Sequence, residues 1–248
     1  MQWLNRLLGK SSAQGADSFV NPITTELHSH LIPGIDDGVK TLEESIDVIR
    51  SLHHLGFKKI ITTPHIMGDF YKNSPSNILP LLDIVRSALK DQQIDIEIHA
   101  GAEYMIDDLF MEKIDSGNLL TFGGKYVLIE MPFMEAAPNL KEVLFALNLN
   151  GYKPVLAHPE RYMYYASQPS KYDELWDAEV LFQLNINSLT GYYSPAALKA
   201  SEYLIGKKMV SMVGSDCHGM RHLPVLEKAI QTDLYREVST FPLLNNQL

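Results

Sequence analysis

Short apolar, β-branched runs alternate with amphipathic helical stretches seven or eight times along this chain, and the links between them are brief. The runs read as strands over residues 20–30, 59–63, 94–104, 126–131, 154–157, 181–187 and 209–215. The stretches between them carry helix punctuation. Thr41, with Glu44 three residues on, forms a capping box ahead of Leu42, Ile46, Ile49 and His53, and Gly56 stops that helix. Ser74-Pro75 opens a helix striped by Leu79, Leu82, Val85, Arg86 and Leu89. Asn139 caps one that carries Leu140, Val143, Leu144 and Leu147, and Ser194-Pro195 opens another. A last helix begins at Leu223, and the tail after Phe241 reads as loose. Alternation of this kind predicts an α/β fold, a parallel sheet with crossover helices. At 248 residues the count favours a closed or nearly closed barrel. No Gly-x-Gly-x-x-Gly follows the first strand, so a dinucleotide-binding sheet loses its main support.

A barrel of this kind carries its chemistry at the C-terminal ends of its strands. His28 and His30 fall at the end of the first run, two apart and so on one strand face. His65, Glu103, Glu130, His158, and Asp216 with His218, close five of the other six runs, and Asp37 lies in the loop after the first. Two histidines alone read equally well as surface residues. Five histidines and four carboxylates on one rim do not, because carboxylates gathered without partners are costly. Nine ligands exceed what one zinc takes, so the pattern calls for two or three divalent ions with carboxylates such as Glu103 bridging. Histidine and carboxylate donors without thiolate suit manganese, iron or zinc. Such a cluster makes hydroxide available near neutral pH and clamps the oxygens of a phosphoryl transfer. Arg161 and Arg221, just beyond His158 and His218, reach the same rim as phosphate-gripping forks; surface salt bridges are the alternative for each.

Composition narrows the classes. Net charge is −9, which argues against a nucleic-acid partner and suits a protein that collects cations. The single cysteine, Cys217, excludes an internal disulfide framework and fits a reducing, cytoplasmic setting. No apolar run is long enough to span a bilayer. Residues 1–21 read as an N-terminal extension, flexible or a short helix, ahead of one domain over 22–248. Nothing in the sequence fixes an oligomeric state.

Glu-Leu-His-Ser-His-Leu-Ile-Pro-Gly-Ile-Asp-Asp-Gly, Thr-Thr-Pro-His, Gly-Ala-Glu-Tyr, Leu-Ile-Glu-Met-Pro, Leu-Ala-His-Pro-Glu-Arg-Tyr and Gly-Ser-Asp-Cys-His together resemble the PHP (polymerase and histidinol phosphatase) superfamily. Within it they resemble the CpsB/YwqE-type bacterial metal-dependent protein tyrosine phosphatases of capsule and exopolysaccharide systems. The motifs span about Thr24 to Pro224. The resemblance implies a distorted (β/α)7 TIM-like barrel holding three metals, manganese first, with metal-bound hydroxide as nucleophile. It implies one metal on His28, His30, Glu103 and Asp216, a second on Glu103, Glu130 and His158, and a third on Asp37, His65 and His218, with Arg161 and Arg221 on phosphate. It implies as partner the phosphotyrosine tail of a bacterial tyrosine kinase that drives polysaccharide export.

Other residues are weighed beside these. Cys217 lacks the Cys-x5-Arg pattern of cysteine phosphatases, since residue 223 is Leu, and reads as structural. His53 and His54 lie on a helix. His99 shares parity with Glu103 and reads as a core histidine, while His222 reads as a solvent-facing loop residue or a phosphate contact. Phe70 and Tyr71, with Tyr162, Tyr164 and Tyr165, form a candidate aromatic wall for a phosphotyrosine ring, with loop packing as the alternative. A histidinol-phosphate phosphatase and a non-catalytic scaffold are the competing readings of the whole.

Overall fold

The computed structural model describes residues 20–248. Nine short parallel strands lie at the centre: β1 (Thr25–Leu27), β2 (Lys59–Thr62), β3 (His65–Ile66), β4 (Glu97–Ala100), β5 (Glu103–Met105), β6 (Tyr126–Glu130), β7 (Lys153–Ala157), β8 (Leu181–Asn185) and β9 (Met212–Gly214). They pair as β1-β2-β4 and as β3-β5-β6-β7-β8-β9. β2 and β3 are one strand interrupted at Thr63-Pro64, where proline has no N–H to give a ladder. β4 and β5 are likewise one strand interrupted at Gly101-Ala102, so the nine segments occupy seven positions. Bonds across the breaks join the two sheets: Thr63 N–H to Ser29 O at 2.7 Å, Gly101 N–H to Thr62 O at 2.9 Å and Glu103 N–H to Pro64 O at 3.1 Å. Last meets first where Asp216 N–H donates to His28 O (2.7 Å) and His30 N–H to Cys217 O (2.9 Å). The result is a distorted seven-position barrel with a short seam.

The seam is tight. A side chain on Gly214 would sit 1.8 Å from the Leu27 carbonyl, so only glycine lets β1 and β9 approach. Beside it Glu26, wholly buried, accepts from Ser215 N–H (2.9 Å) and Ser215 Oγ (2.7 Å) and ties the two strands through a side chain. Burial there pushes the Glu26 carboxyl up to about 8, against the pull of the Ser215 bonds.

Helices cover the outside. α1 (Leu42–His54) starts at Thr41, whose hydroxyl accepts from Glu44 N–H at 3.2 Å. The reciprocal half of the capping box is displaced by one residue, with Glu44 accepting from Lys40 N–H at 2.8 Å. α2 (Pro75–Asp91) buries Ile78, Leu82, Val85 and Leu89; Leu79, expected in that stripe, is exposed, because Ile78 takes the inner place. α3 (Phe110–Asp115), α4 (Leu140–Leu149), α5 (Met163–Ala166), α6 (Ser170–Asp177) and α7 (Pro195–Gly206) follow. Asn139 precedes α4 without a side-chain cap, whereas Ser194 caps α7. The expected last helix is two, α8 (Leu223–Ala229) and α9 (Asp233–Val238), the second recapped by Thr232.

Two apolar clusters result. The larger lies between helices and strands. The smaller fills the barrel: Leu27, Ile61, Phe122, Leu128, Val155, Ala157 and Met212, with Leu244 and Leu248 packed against it. The tail after Phe241 is therefore not loose. Asn245 is fully buried, accepts from Val213 N–H (2.9 Å) and donates to Thr25 O (3.0 Å) and Val213 O (2.8 Å), closing the floor. At the other end of the chain, residues 1–19 of the expected extension lie outside the described residues. Asn21 belongs to the folded body, buried, donating to Leu55 O and accepting from Tyr235 Oη.

Candidate metal centre

The first strand stops at Leu27, three residues short of its expected end, and the reason shapes the site. Leu27 faces the interior, so plain alternation would send His28 outward. His28 instead has φ of 75°, and that left-handed turn brings its imidazole inside. His158 (φ 33°) follows inward-facing Ala157 in the same way, and Asp216 (φ 52°) turns similarly after β9. These three non-glycine residues, all just past strand ends at the site, store backbone strain of roughly 1–3 kcal/mol each. His65, Glu103 and Glu130 arrive by ordinary register: His65 pairs with Glu103, Glu103 with Leu128, and Glu130 is two residues beyond Leu128.

These side chains converge on Glu103. Its Oε2 lies 3.1 Å from His28 Nε2, 3.4 Å from His30 Nε2 and 3.2 Å from His65 Nδ1, and its Oε1 lies 3.4 Å from His158 Nε2. Asp216 Oδ1 faces His28 Nε2 at 3.2 Å and His30 Nε2 at 3.4 Å. His158 Nε2 is 3.3 Å from Glu130 Oε1. Asp37, half exposed at the lip, faces His218 Nε2 at 3.4 Å and His65 Nε2 at 3.6 Å. Donor atoms gather into three groups compatible with a cation: His28, His30, Glu103 and Asp216; His30, Asp37, His65 and His218; and His65, Glu103 and Glu130.

The close approaches are not hydrogen bonds. His28 Nε2, His30 Nε2, His65 Nδ1 and both Glu103 carboxylate oxygens are buried without a hydrogen-bond partner among the described residues. Orphaned polar atoms of this kind are rare and costly, and here they all point at one another. That donor set fits divalent cations. Charge without cations is balanced by protons. Burial pulls His28 down, but the facing Glu103 and Asp216 carboxylates outweigh it and push its pKa to about 10. His30 is driven well above its ordinary value against burial, chiefly by Asp36. Burial raises Glu103 and Asp216, yet His28 and its neighbours hold both well below the usual carboxylate range.

Supporting residues that sequence reasoning passed over fix these groups. Asp36 Oδ2 holds His30 Nδ1 at 2.8 Å and accepts from His65 N–H at 3.0 Å. Its position beside Asp37 in the Asp-Asp-Gly loop was the available signal. Gly38 accepts no side chain because a Cβ would fall 2.2 Å from His30 O. Gln183 Oε1 holds His28 Nδ1 at 2.7 Å. Glu160 is buried behind the site, bonded to Ser188 Oγ and Asn185 N–H.

Arg161 reaches the site and pairs with Asp216 Oδ2 at 2.5 Å, sandwiched between the rings of Tyr193 (4.1 Å) and Phe133 (4.8 Å). Arg221 is exposed, with no hydrogen bond or ion pair among the described residues. His222 is buried rather than solvent-facing, beside His218 and the Asp216 carbonyl. His99 is half exposed next to Glu97, not a core residue, because β4 pairs on one side alone.

The expected aromatic wall is mostly elsewhere. Tyr162 and Tyr165 are buried and Tyr164 donates to Pro132 O, so these three pack the loop instead of lining the opening. Phe70 is exposed, and Tyr71 lies parallel to His65 at 5.6 Å. The rings that border the site on the other side are Phe133, stacked on His158 at 5.7 Å, and Tyr193. Neither lies within the motifs, so sequence gave no signal for them. Cys217 is fully buried at the seam, its thiol pushed up to about 12 by burial, as a structural residue would be.

A solved structure from work on YwqE of Bacillus subtilis and CpsB of Streptococcus pneumoniae, described as unique metal-dependent tyrosine phosphatases, matches with a TM-score of 0.75 at 28% identity, covering 85% of this chain and 89% of that one. Tyrosine-protein phosphatase YwqE of Bacillus subtilis (strain 168) is 29% identical over 218 residues, 84% of this chain and 86% of the relative. Tyrosine-protein phosphatase CpsB of Streptococcus pneumoniae is 27% identical over 207 residues, 80% of this chain and 84% of the relative. A family model described as "Capsular polysaccharide synthesis, CpsB/CapC" matches residues 24–238, and the chain belongs to that family.

Proposed function

We propose that the chain is a metal-dependent protein tyrosine phosphatase. The observation that carries this reading is the set of buried, mutually facing donor atoms around Glu103, in a family whose compared members are named tyrosine-protein phosphatases. Two or three divalent cations would be held by His28, His30, Glu103 and Asp216; by Glu103 and Glu130 with His158 or His65; and by Asp37, His65 and His218, His30 being within reach of that last group. Such ions supply Lewis acidity toward a phosphoryl group and activate water. Manganese is the first metal to try, then iron and zinc.

The protein's own contribution is placement. Asp36 and Gln183 hold two imidazoles by Nδ1, which leaves Nε2 of each facing the centre. Arg161, flattened between Phe133 and Tyr193, offers a planar fork to phosphate oxygens at the lip. A tyrosine phenolate leaves readily, so no strong general acid is required, and none is placed for it. Arg221, exposed three residues after His218, would be a second arginine for the phosphate oxygens. The substrate we infer is the phosphotyrosine tail of a bacterial tyrosine kinase that controls capsule synthesis, met at the cytoplasmic side. No described helix is long and apolar enough to cross a membrane.

The test is phosphate release from a phosphotyrosine peptide and from histidinol phosphate side by side, with protein stripped by chelator and reloaded with manganese. A His28→Ala, His30→Ala variant is the control. Preference for the peptide, lost on chelation and in the variant, is the expected result. Preference for histidinol phosphate moves the chain to a biosynthetic role, and turnover of neither leaves a scaffold.

A further inference from the structure

Phe133 stands out among the exposed apolar residues. It follows the end of β6 by three residues and leaves 43% of its surface to solvent, yet its ring is not loose. One neighbour is the imidazole of His158, nearly parallel at 19° and 5.7 Å between centroids. Another is the guanidinium of Arg161, 4.8 Å from the ring centroid. A third is Tyr162, 5.7 Å away and fully buried, whose Oη accepts from Met131 N–H and so anchors the base of this loop. The ring is thus held in place by three partners and still partly open beside the metal centre, so it is available to a bound group without having to be ordered first.

Its place says what would cover it. His158 belongs to the Glu103–Glu130 side of the centre, and Arg161 is the cation that reaches Asp216 at the lip. A phosphoryl group set between those two would have Phe133, which touches both, within reach of its ester substituent. Across the centre, Tyr71 lies over His65 at 9° and 5.6 Å. An aliphatic alcohol offers these rings little; a phenyl ring offers a face or an edge.

We propose that Phe133 is the residue by which the site selects aryl over alkyl phosphate esters, packing the exposed part of its ring against the phenyl ring of the substrate's phosphotyrosine. This rests on the phosphatase reading above and names the part of the chain that gives it tyrosine preference. Phe133 positions the leaving group and takes no part in bond breaking. Its contact with Arg161 means that removal also loosens phosphate binding, so the informative quantity is a ratio.

The experiment measures binding of phenylphosphonate and methylphosphonate, neither of which is hydrolysed, to manganese-loaded protein by titration calorimetry. It compares wild type with Phe133→Leu, which keeps an apolar cover on Arg161 without a ring, and Phe133→Tyr, which restores the ring. In parallel, kcat and KM are taken on a phosphotyrosine peptide and on glycerol phosphate. The expected result is that Phe133→Leu lowers the phenyl-to-methyl affinity ratio about five- to tenfold, in keeping with an aromatic pair, that Phe133→Tyr restores it, and that the loss on the peptide falls mainly on KM. An unchanged ratio in Phe133→Leu, with both affinities falling together or neither falling, overturns the assignment. Failure of the wild type to hydrolyse the peptide at all sinks the phosphatase reading instead, and the phosphonate ratio still reports on the ring.

Discussion

Gln183 holds His28 in a single tautomer. Its Oε1 lies 2.7 Å from His28 Nδ1, and its Nε2 donates to Leu184 O at 2.9 Å, which fixes the amide's orientation. Nδ1 of His28 therefore keeps its proton, and when a cation displaces the proton on Nε2 it is that nitrogen's lone pair that faces the centre. Gln183→Leu is expected to weaken manganese binding about 10- to 100-fold while the fold persists. Gln183→Glu, which can still accept from Nδ1, should lose less. Calorimetric titration of stripped protein with manganese decides; equal affinity in Gln183→Leu would remove this role.

Cations should also stabilise the fold, because the buried donors around Glu103 have no other partners. Manganese at about 100 times its dissociation constant should add roughly 2.7 kcal/mol per site, through binding to the native state alone. Thermal unfolding with and without chelator measures it, and no change in melting temperature would count against a buried cation centre.

That stabilisation should depend on pH with a definite sign. His28 has its pKa raised from 6.5 to about 10 in the cation-free protein. A raised imidazole pKa gives stability that is present below 6.5 and lost as pH rises toward 10. Cations need the neutral imidazole, so their affinity moves the opposite way and rises across the same window. The gap in melting temperature between loaded and stripped protein should widen with increasing pH. Proton release on adding manganese, read in buffers of different ionisation enthalpy, checks the same coupling.

Cys217 should prove inert. Its thiol is fully buried and pushed up to about 12, so iodoacetamide at pH 8 should leave the native protein unmodified and label it after unfolding. Cys217→Ala should keep phosphatase activity within a few fold and cost about 1 kcal/mol of stability. Loss of all turnover with native stability would revive a thiol mechanism.

Asn245 should matter more than its place near the chain end suggests. It makes three buried hydrogen bonds to β1 and β9. Asn245→Ala leaves those backbone groups unpaired and should cost about 2–4 kcal/mol in urea unfolding. Metal affinity, governed at the opposite end of the barrel, should change little.

The alternation of strands and helices, and the polar residue closing each strand, were legible because both are periodic or positional patterns that local sequence carries. What was not legible depended on neighbours distant in sequence. Nothing local marks Gln183 as the partner of His28, 155 residues away. The backbone at His28, His158 and Asp216 turns left-handed under tertiary constraint that no local pattern marks, so the strand ends at Leu27, short of its expected end. Tyr162, Tyr164 and Tyr165 follow Arg161 closely but fold under the loop, and the rings beside the opening come from segments without motifs. Arg221 follows His218 by three residues, and spacing alone does not tell which way an exposed turn aims its side chain.

The floor of the barrel has a consequence for how the chain is made. Asn245 bonds to Thr25 across 220 residues, and Leu244 and Leu248 pack on the apolar cluster that Leu27 begins. During synthesis the earliest strand therefore waits for residues 244–248 to leave the ribosome. Contacts of such sequence separation close slowly. A nascent chain stalled before residue 243 would hold seven strand positions and an open floor, a form suited to capture by a chaperone. Release of residues 243–248 would act as the commitment step.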